Sequence, residues 1–172
     1  MYQVGEYIIY GYNGVCRVND ITHLDDISGA DRTKQYYILS PLGNQGSVIY
    51  SPVNNTKVMS RPLITREEAQ KLLETGAYMD RFQIPYDKLQ EARYREIVGS
   101  CDCMQWLRLM KTLYFRKAER EAQGKKVTAR DEKYLGITEQ YLLTELSFVL
   151  QREKNDIKEE LYTKFRKKNT VA

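Results

Sequence analysis

Residues 4–18 read VGEYIIYGYNGVCRV, and this stretch decides the fold of the first part of the chain. Two runs of β-branched and aromatic residues, 7–10 and 15–18, flank a turn sequence that contains two glycines and an asparagine. This pattern predicts two adjacent antiparallel strands, because Gly and Asn tolerate the positive φ angles of a tight turn. Gly5 and Gly14 flank the first strand, where a small barrel needs sharp turns or a close backbone approach.

The chain carries only strand and turn signals up to about residue 60. Further strands are predicted over 15–24, 35–39, 47–50 and 56–59, separated by a polar hairpin tip and by clusters of Gly, Pro and Asn. Five short strands with short connections are typical of a small SH3/Tudor-like β-barrel, whose closure removes most exposed strand edges. The sequence therefore predicts an N-terminal β domain over residues 1–60.

The periodicity becomes helical after this point. Thr65 and Glu68 have the spacing of a capping box, and Gly76 predicts the end of the first helix. Pro85 is predicted to open a second helix that runs to Gly99. Its inner side is predicted from three apolar residues, Leu89, Ala92 and Ile97.

Three more helices follow. Asp102 is the predicted N-cap of the third, whose apolar positions recur at the helical period: Cys103, Trp106, Leu107, Met110, Leu113 and Tyr114. Thr128, with Asp131 three residues on, starts a long fourth helix, and Asn155 starts a last short one. The predicted fold class is thus α+β in two domains, with a compact all-α domain of about five helices over residues 65–172.

Charge is distributed unevenly along the chain. Lys and Arg number four against five Asp and Glu in residues 1–60, but 23 against 18 in residues 61–172. The helical half therefore carries the whole positive excess, which indicates an anionic partner or, equally, a solvated helical surface. A row at helical spacing, Arg108, Thr112, Arg116 and Arg120, lies away from the predicted apolar face of the third helix.

No residue pattern calls for catalysis, a cofactor or a bound metal. The single histidine, His23, is read as structural, and the Cys101/Cys103 pair lacks the further ligands that a zinc site needs. A thiol enzyme that uses Cys101 or Cys103 remains a weaker hypothesis. Three cysteines and the absence of a long apolar run indicate a cytoplasmic protein without a membrane span.

The order V-G-[DE]-x-[IV]-[IV]-Y-x-x-x-G-V-x-x-V in residues 4–18 resembles the opening of the CarD/CdnL family of RNA polymerase-binding regulators. It is also similar to the polymerase-interacting domain of transcription-repair coupling factors. The resemblance implies a Tudor-like domain that binds the polymerase β subunit, followed by a helical domain. Residues 49–52 are similar to the family strand V-R-V-P that faces the β subunit, so Ile49, Tyr50 and Ser51 are implied as polymerase-binding residues, with Tyr50 in the place of the basic one.

The resemblance also implies contact with promoter DNA. Many family members insert a tryptophan from the start of the second helix into the minor groove, where this chain has residues 85–90 and Tyr86 as the nearest aromatic. Tyr86 is expected to be exposed and to contribute less than about 0.5 kcal/mol to stability, whereas Trp106 is expected in the core. The implied DNA-contacting residues are Tyr86, Lys88, Lys125, Lys126 and Arg130.

The resulting hypothesis is a non-enzymatic bacterial transcription regulator, a monomer associated with the nucleoid through RNA polymerase. Its helical domain would touch promoter DNA through the minor groove or backbone, without strong sequence preference, and influence open-complex stability. A second hypothesis is a protein-only adaptor that binds polymerase and recruits another protein without touching DNA, since Asp87 lies beside Tyr86 and no tryptophan is present there.

Overall fold

The computed structural model describes residues 1–169, which form a β-rich unit followed by a helical unit. The two compact units divide between Leu63 and Ile64. The predicted two-domain α+β class and the five helices are confirmed. The end of the predicted helical domain, residues 170–172, lies outside the described residues.

The β unit is one five-stranded antiparallel sheet with the strand order β4-β3-β2-β1-β5. Its strands are β1 (Tyr7–Tyr10), β2 (Val15–His23), β3 (Gln35–Pro41), β4 (Ile49–Pro52) and β5 (Ser60–Pro62). The first hairpin forms as predicted, with Ile9 opposite Val15 and with Gly5 and Gly14 at φ angles of +88° and +65°. This order leaves β4 and β5 at the two edges of the sheet.

The sheet curls so far that its fourth strand meets its first. The Tyr10 hydroxyl on β1 donates a buried hydrogen bond of 2.8 Å to Ser51 Oγ on β4, although β2 and β3 lie between these strands in the sheet. Asn55 Nδ2 donates to the same Tyr10 oxygen at 3.2 Å. The inner side of the curl is filled by Ile8, Tyr10, Cys16, Val18, Tyr37 and Leu39.

Two strand predictions need correction. The fourth strand begins at Ile49 instead of residue 47, and the predicted strand over 56–59 is wrong because β5 begins at Ser60. Asn55 causes the second error: its side-chain Oδ1 accepts from the Lys57 N–H at 2.9 Å. This local turn competes with an extended conformation.

The helical unit contains α1 (Arg66–Thr75), α2 (Gln90–Gly99), α3 (Cys103–Ala122), α4 (Ala129–Leu150) and α5 (Lys154–Asn169). Three predicted helix starts are confirmed by their caps. Thr65 and Glu68 form the reciprocal capping box, Asp102 accepts from the N–H of Met104, and Thr128 accepts from the N–H of Asp131. Within the described residues, no helix combines the length and apolarity that crossing a membrane requires.

The predicted start and inner side of the second helix are wrong. Pro85 does not open α2, because Asp87 Oδ1 accepts from the Leu89 N–H at 2.8 Å and holds residues 87–89 in a turn. With α2 starting at Gln90, its buried residues are Gln90, Tyr94 and Val98. Leu89 is exposed, and Tyr86 consequently lies in a connecting segment.

The third helix supplies the centre of the core, as predicted. Trp106 is 0 % exposed, and its indole Nε1 donates to the Val98 carbonyl at 2.9 Å. Its ring also packs against that of Tyr141 on α4, with the centroids 5.7 Å apart. The only tryptophan of the chain is therefore a structural residue.

Gly76 follows the last residue of α1, as predicted, but a glycine is needed at this position for a different reason. Its backbone is right-handed, with φ −57°, so the left-handed conformation of a usual C-terminal glycine is not in use. Instead, a Cβ at this position would lie 2.5 Å from Leu107 Cδ2, and Leu107 is fully buried. Glycine is required here by close packing against α3.

We expect Gly76→Ala to destabilise the helical unit by about 1–3 kcal/mol, the usual effect of overpacking. The matched control is Gly136→Ala in α4, where an added Cβ meets nothing within 4 Å. That variant should gain about 0.5–1 kcal/mol from helix propensity. Urea unfolding measures both, and similar midpoints for the two variants would contradict the packing explanation.

Candidate functional site

The predicted polymerase-binding residues lie on the edge strand β4 and point in two directions. Tyr50 is 46 % exposed, whereas Ile49 packs against the core cluster of the sheet. Ser51 is 2 % exposed and uses its hydroxyl inside the domain, as the acceptor for Tyr10. Ser51 thus holds β4 in place, and Tyr50 is the side chain presented outwards, while polymerase binding by Ile49, Tyr50 and Ser51 stays a prediction.

In the sheet that residues 1–169 form, β4 is an edge strand and pairs on one side with β3. The Val53 N–H donates to the Gln35 carbonyl at 3.0 Å, towards β3. Because backbone groups alternate in direction along an antiparallel strand, those of Tyr50 point away from β3. Pro52, the next outward position, has no N–H to offer. Tyr50 is thus the residue of β4 that directs both its backbone N–H and its C=O away from the sheet, and its aromatic ring is also exposed.

In the helical unit, polar and basic side chains of α3 bind the segment between α1 and α2 that carries Tyr86. Arg108 Nε donates to the Asp80 carbonyl at 2.7 Å, and Lys111 donates to the Met79 carbonyl. Thr112 Oγ1 accepts from the Phe82 N–H at 2.9 Å. These contacts fasten residues 79–84 along α3, so the row predicted to face solvent is largely covered by the protein's own backbone.

Arg116 continues this row and reaches a buried carboxylate on α4. Its side chain is 11 % exposed and forms an ion pair of 3.0 Å with the fully buried Asp131 of α4. Its Nη1 donates to the Ile84 carbonyl. The guanidinium carbon lies 3.8 Å from the centroid of the Tyr86 ring, a distance at which cation–π attraction is substantial.

Asp131 is the centre of a buried polar network. One of its oxygens, Oδ1, accepts from the Tyr94 hydroxyl at 2.6 Å. The other, Oδ2, accepts from Arg116 and, at 3.3 Å, from the Tyr86 hydroxyl. Burial and then the contact with Asp131 raise the pKa of the Tyr94 phenol far above its ordinary value, so Tyr94 stays a hydrogen-bond donor throughout the physiological pH range.

Tyr86 is therefore exposed to solvent but held in position by contacts with the protein. It is 54 % exposed, as expected, yet its ring stacks on Arg116 and its hydroxyl reaches Asp131. The expected stability contribution below about 0.5 kcal/mol is too low for such contacts. A stacked cation and a hydrogen bond to a carboxylate together contribute roughly 1–2 kcal/mol.

The four predicted DNA-contacting cations differ in their availability. Lys88, Lys125 and Lys126 are exposed. Arg130 is already engaged, since its Nε lies 3.6 Å from Glu91 Oε2 and its Nη1 donates to Gln90 Oε1 at 3.1 Å. Of the predicted set, Tyr86 and Lys125 line one cavity.

Arg81, which also lines this cavity, was not predicted by sequence reasoning. It belongs to an irregular segment without periodicity, and its partner Glu119, at 2.7 Å, is 38 residues away. The cavity residue Arg120 stands in the predicted row on α3. Its Nε donates to the Lys126 carbonyl at 2.7 Å, which fixes the loop before α4.

The cysteines and the histidine serve packing and local structure. Cys101 and Cys103 are buried, and Cys103 Sγ donates to Glu145 Oε2 at 2.9 Å. His23 Nδ1 lies 3.2 Å from the Arg32 carbonyl, at the base of the hairpin. Burial of both thiols favours packing over the thiol-enzyme hypothesis.

The curled sheet with an open, aromatic edge strand defines a small β domain suited to protein docking. Residues 2–63 match the family model described as the CarD-like/TRCF RID domain. The N-terminal unit therefore belongs to this family of non-catalytic RNA polymerase-interacting domains, and the CarD/CdnL-like resemblance is confirmed for it. A search of the curated proteins found no matching relative.

We expect Asp131→Ala to destabilise the helical unit by about 3–5 kcal/mol, because it leaves the Arg116 guanidinium buried without its counter-charge. The matched control is the exposed neighbour Glu132→Ala, which should change stability by less than about 0.5 kcal/mol. Thermal or urea unfolding of both variants measures this difference. A small effect of Asp131→Ala would show that the network does not hold the unit together.

Proposed function

We propose that this protein is a non-enzymatic transcription regulator that binds the β subunit of RNA polymerase through β4 and contacts promoter DNA through its helical domain. The observation that carries the proposal is the open edge of β4 inside a domain of a polymerase-interacting family. We place the protein in the cytoplasm, as a monomer that reaches the nucleoid through polymerase. The DNA contact would influence the stability of the open complex.

The edge of β4 supports binding by strand addition. An added strand pairs with outward backbone groups and gains specificity from alternate side chains. Tyr50 offers both backbone groups and a half-exposed ring, and aromatic residues are enriched at the centres of protein interfaces. Ile49 and Ser51 contribute by fixing the strand against the core.

We expect Tyr50→Ala to weaken binding of the full-length protein to the β subunit at least about tenfold, as for an aromatic hot spot. The matched control is Tyr12→Ala, which removes an exposed tyrosine of the same domain that lies outside β4. Surface plasmon resonance with immobilised β subunit measures both. Equal affinities for the two variants would exclude β4 as the docking strand, and no binding by the unsubstituted protein would exclude the polymerase partner.

The helical domain offers an aromatic ring beside positive charge. Tyr86 is presented by the segment fastened along α3, and the exposed Lys88, Lys125 and Lys126 supply charges for phosphate contacts. Unstacking of a base step by an inserted side chain, with cations on the backbone, is a common way to bind the minor groove. Arg130 is a weaker candidate, because Glu91 offsets its charge.

We expect Tyr86→Ala to shorten the lifetime of the open promoter complex, while Tyr86→Phe keeps most of the effect because the ring remains. Stability should fall by about 1–2 kcal/mol in Tyr86→Ala, so the assay is run well below its melting temperature. Promoter-opening kinetics with a heparin challenge measure the lifetimes. An unchanged lifetime in Tyr86→Ala would remove Tyr86 from the DNA contact.

The second candidate is a protein-only adaptor on polymerase. Asp87 beside Tyr86 favours it: although desolvation acts in the opposite direction, hydrogen bonds from the Leu89 N–H and from Arg93 hold the pKa of Asp87 below its ordinary value. Asp87 therefore stays ionised next to the ring, with Arg93 as its partner at 2.9 Å. A footprint of the initiation complex that is the same with and without bound protein would select the adaptor.

A further inference from the structure

The helical unit contains a cavity of about 460 Å³ between the segment of residues 81–86 and the second half of α3. This volume lies within the range of small-molecule sites. Its lining combines apolar and aromatic side chains with four cations and with one carboxylate, that of Glu119. The residues that matter for a ligand are Phe82, Ile84, Tyr86, Arg116, Arg120 and Lys125.

The charge balance of the cavity favours an anion. Arg81 is neutralised by Glu119 at 2.7 Å, and Arg116 is neutralised by the buried Asp131. Arg120 donates to a neutral carbonyl of the chain, and within residues 1–169 no ion pair joins either Arg120 or Lys125 to a carboxylate. Two positive charges therefore remain in one concave site, where low-dielectric walls strengthen their field.

A buried donor without an acceptor points to the same ligand chemistry. Arg116 uses Nε for Asp131 and Nη1 for the Ile84 carbonyl, but its Nη2 is buried without a hydrogen-bond partner. The Tyr86 ring lies over this guanidinium. Nη2 therefore has a hydrogen bond to offer to an oxygen, and a phosphate suits it because guanidinium groups match phosphate oxygens in geometry.

Tyr86 adds a surface for a nucleobase. More than half of this residue is exposed, and aromatic rings stack on any base without sequence preference. The Tyr86 ring and the cations Arg120 and Lys125 line the same cavity, although they come from different segments of the chain. A ligand with a flat ring and a phosphate would use both at once.

We propose that this cavity binds a nucleoside phosphate, with its phosphate on Arg120 and Lys125 and its base against the Tyr86 ring. Arg116 Nη2 is a further donor to the phosphate once the ring has turned. The ligand is either a free nucleotide or one nucleotide of a separated DNA strand, since both present the same groups. The site shares Tyr86 and Lys125 with the proposed DNA contact but does not depend on it.

The test is a titration of the isotopically labelled full-length protein with deoxyadenosine monophosphate, followed by backbone amide shifts in NMR. We expect saturable shifts in residues 81–86 and 116–125, and affinities at least about tenfold weaker for inorganic phosphate and for deoxyadenosine. Lys125→Ala and Arg120→Gln should each weaken nucleotide binding at least about tenfold. The matched control Lys71→Ala removes an exposed charge on α1 and should leave the affinity unchanged.

Competition then identifies the source of the nucleotide. A six-nucleotide single strand that displaces the monophosphate assigns the cavity to a separated DNA strand, whereas failure to displace it assigns the cavity to a free nucleotide. Shifts that do not saturate at millimolar ligand, or an unchanged affinity in Lys125→Ala, would overturn the proposal. If Arg120→Gln does not fold, the Lys125→Ala variant still tests the proposal, because Lys125 is exposed.

The two proposals can fail separately. A promoter footprint that requires the protein, together with no binding of the monophosphate, would overturn the nucleotide cavity and leave the DNA contact standing. Binding of the monophosphate without any footprint would overturn the DNA contact alone.

Discussion

The buried ion pair between Arg116 and Asp131 determines how the helical unit is arranged around its candidate site. It joins α3 to the first turn of α4, and Asp131 also accepts from Tyr94 of α2. Arg116 in turn holds the Ile84 carbonyl of the connecting segment. A buried charge is tolerated only with its partner in place, so four elements share one fixed geometry. The position of Tyr86 follows from it, because both of the groups that hold its ring and hydroxyl belong to this pair.

Because of this arrangement, only some of the cations in the helical unit are accessible to a ligand. Arg108 belongs to the cationic row predicted from the sequence, yet it donates to the Asp80 carbonyl, and the neighbouring Lys111 donates to the Met79 carbonyl. After α3 the connecting segment no longer covers the chain, and Lys125 and Lys126 in the loop are exposed. The difference between these two groups of cations comes from backbone packing and not from the amino-acid composition.

What could be predicted from the sequence was encoded locally. The Thr65–Glu68 capping box, the Asp102 cap and the first hairpin each depend on residues a few positions apart, and each formed as predicted. Two of the errors come from local side-chain turns, at Asn55 and at Asp87. The others have tertiary causes: Gly76 is glycine because of Leu107, and Arg116 is buried because Asp131 of another helix meets it. In β4, the alternation of side-chain directions along a strand predicts that Tyr50 and Ser51 face opposite sides. That β4 lies at the edge of the sheet becomes known only from the strand order.

Tyr86 and Trp106 show why exposure alone does not identify a ligand-binding aromatic. Trp106 has its single donor satisfied by Val98 and its ring enclosed, so any movement would open a cavity in the core. Tyr86 is held by the stacked Arg116 guanidinium, by Arg120 at 5.7 Å from its ring centroid and by one long hydrogen bond of 3.3 Å. Moving the ring costs roughly the 1–2 kcal/mol that these contacts contribute, a cost that a bound ligand can offset. Because Arg116 Nη2 lacks an acceptor and its guanidinium lies against this ring, we expect movement of Tyr86 and binding of a phosphate to favour each other. The two events are therefore coupled through a single guanidinium group.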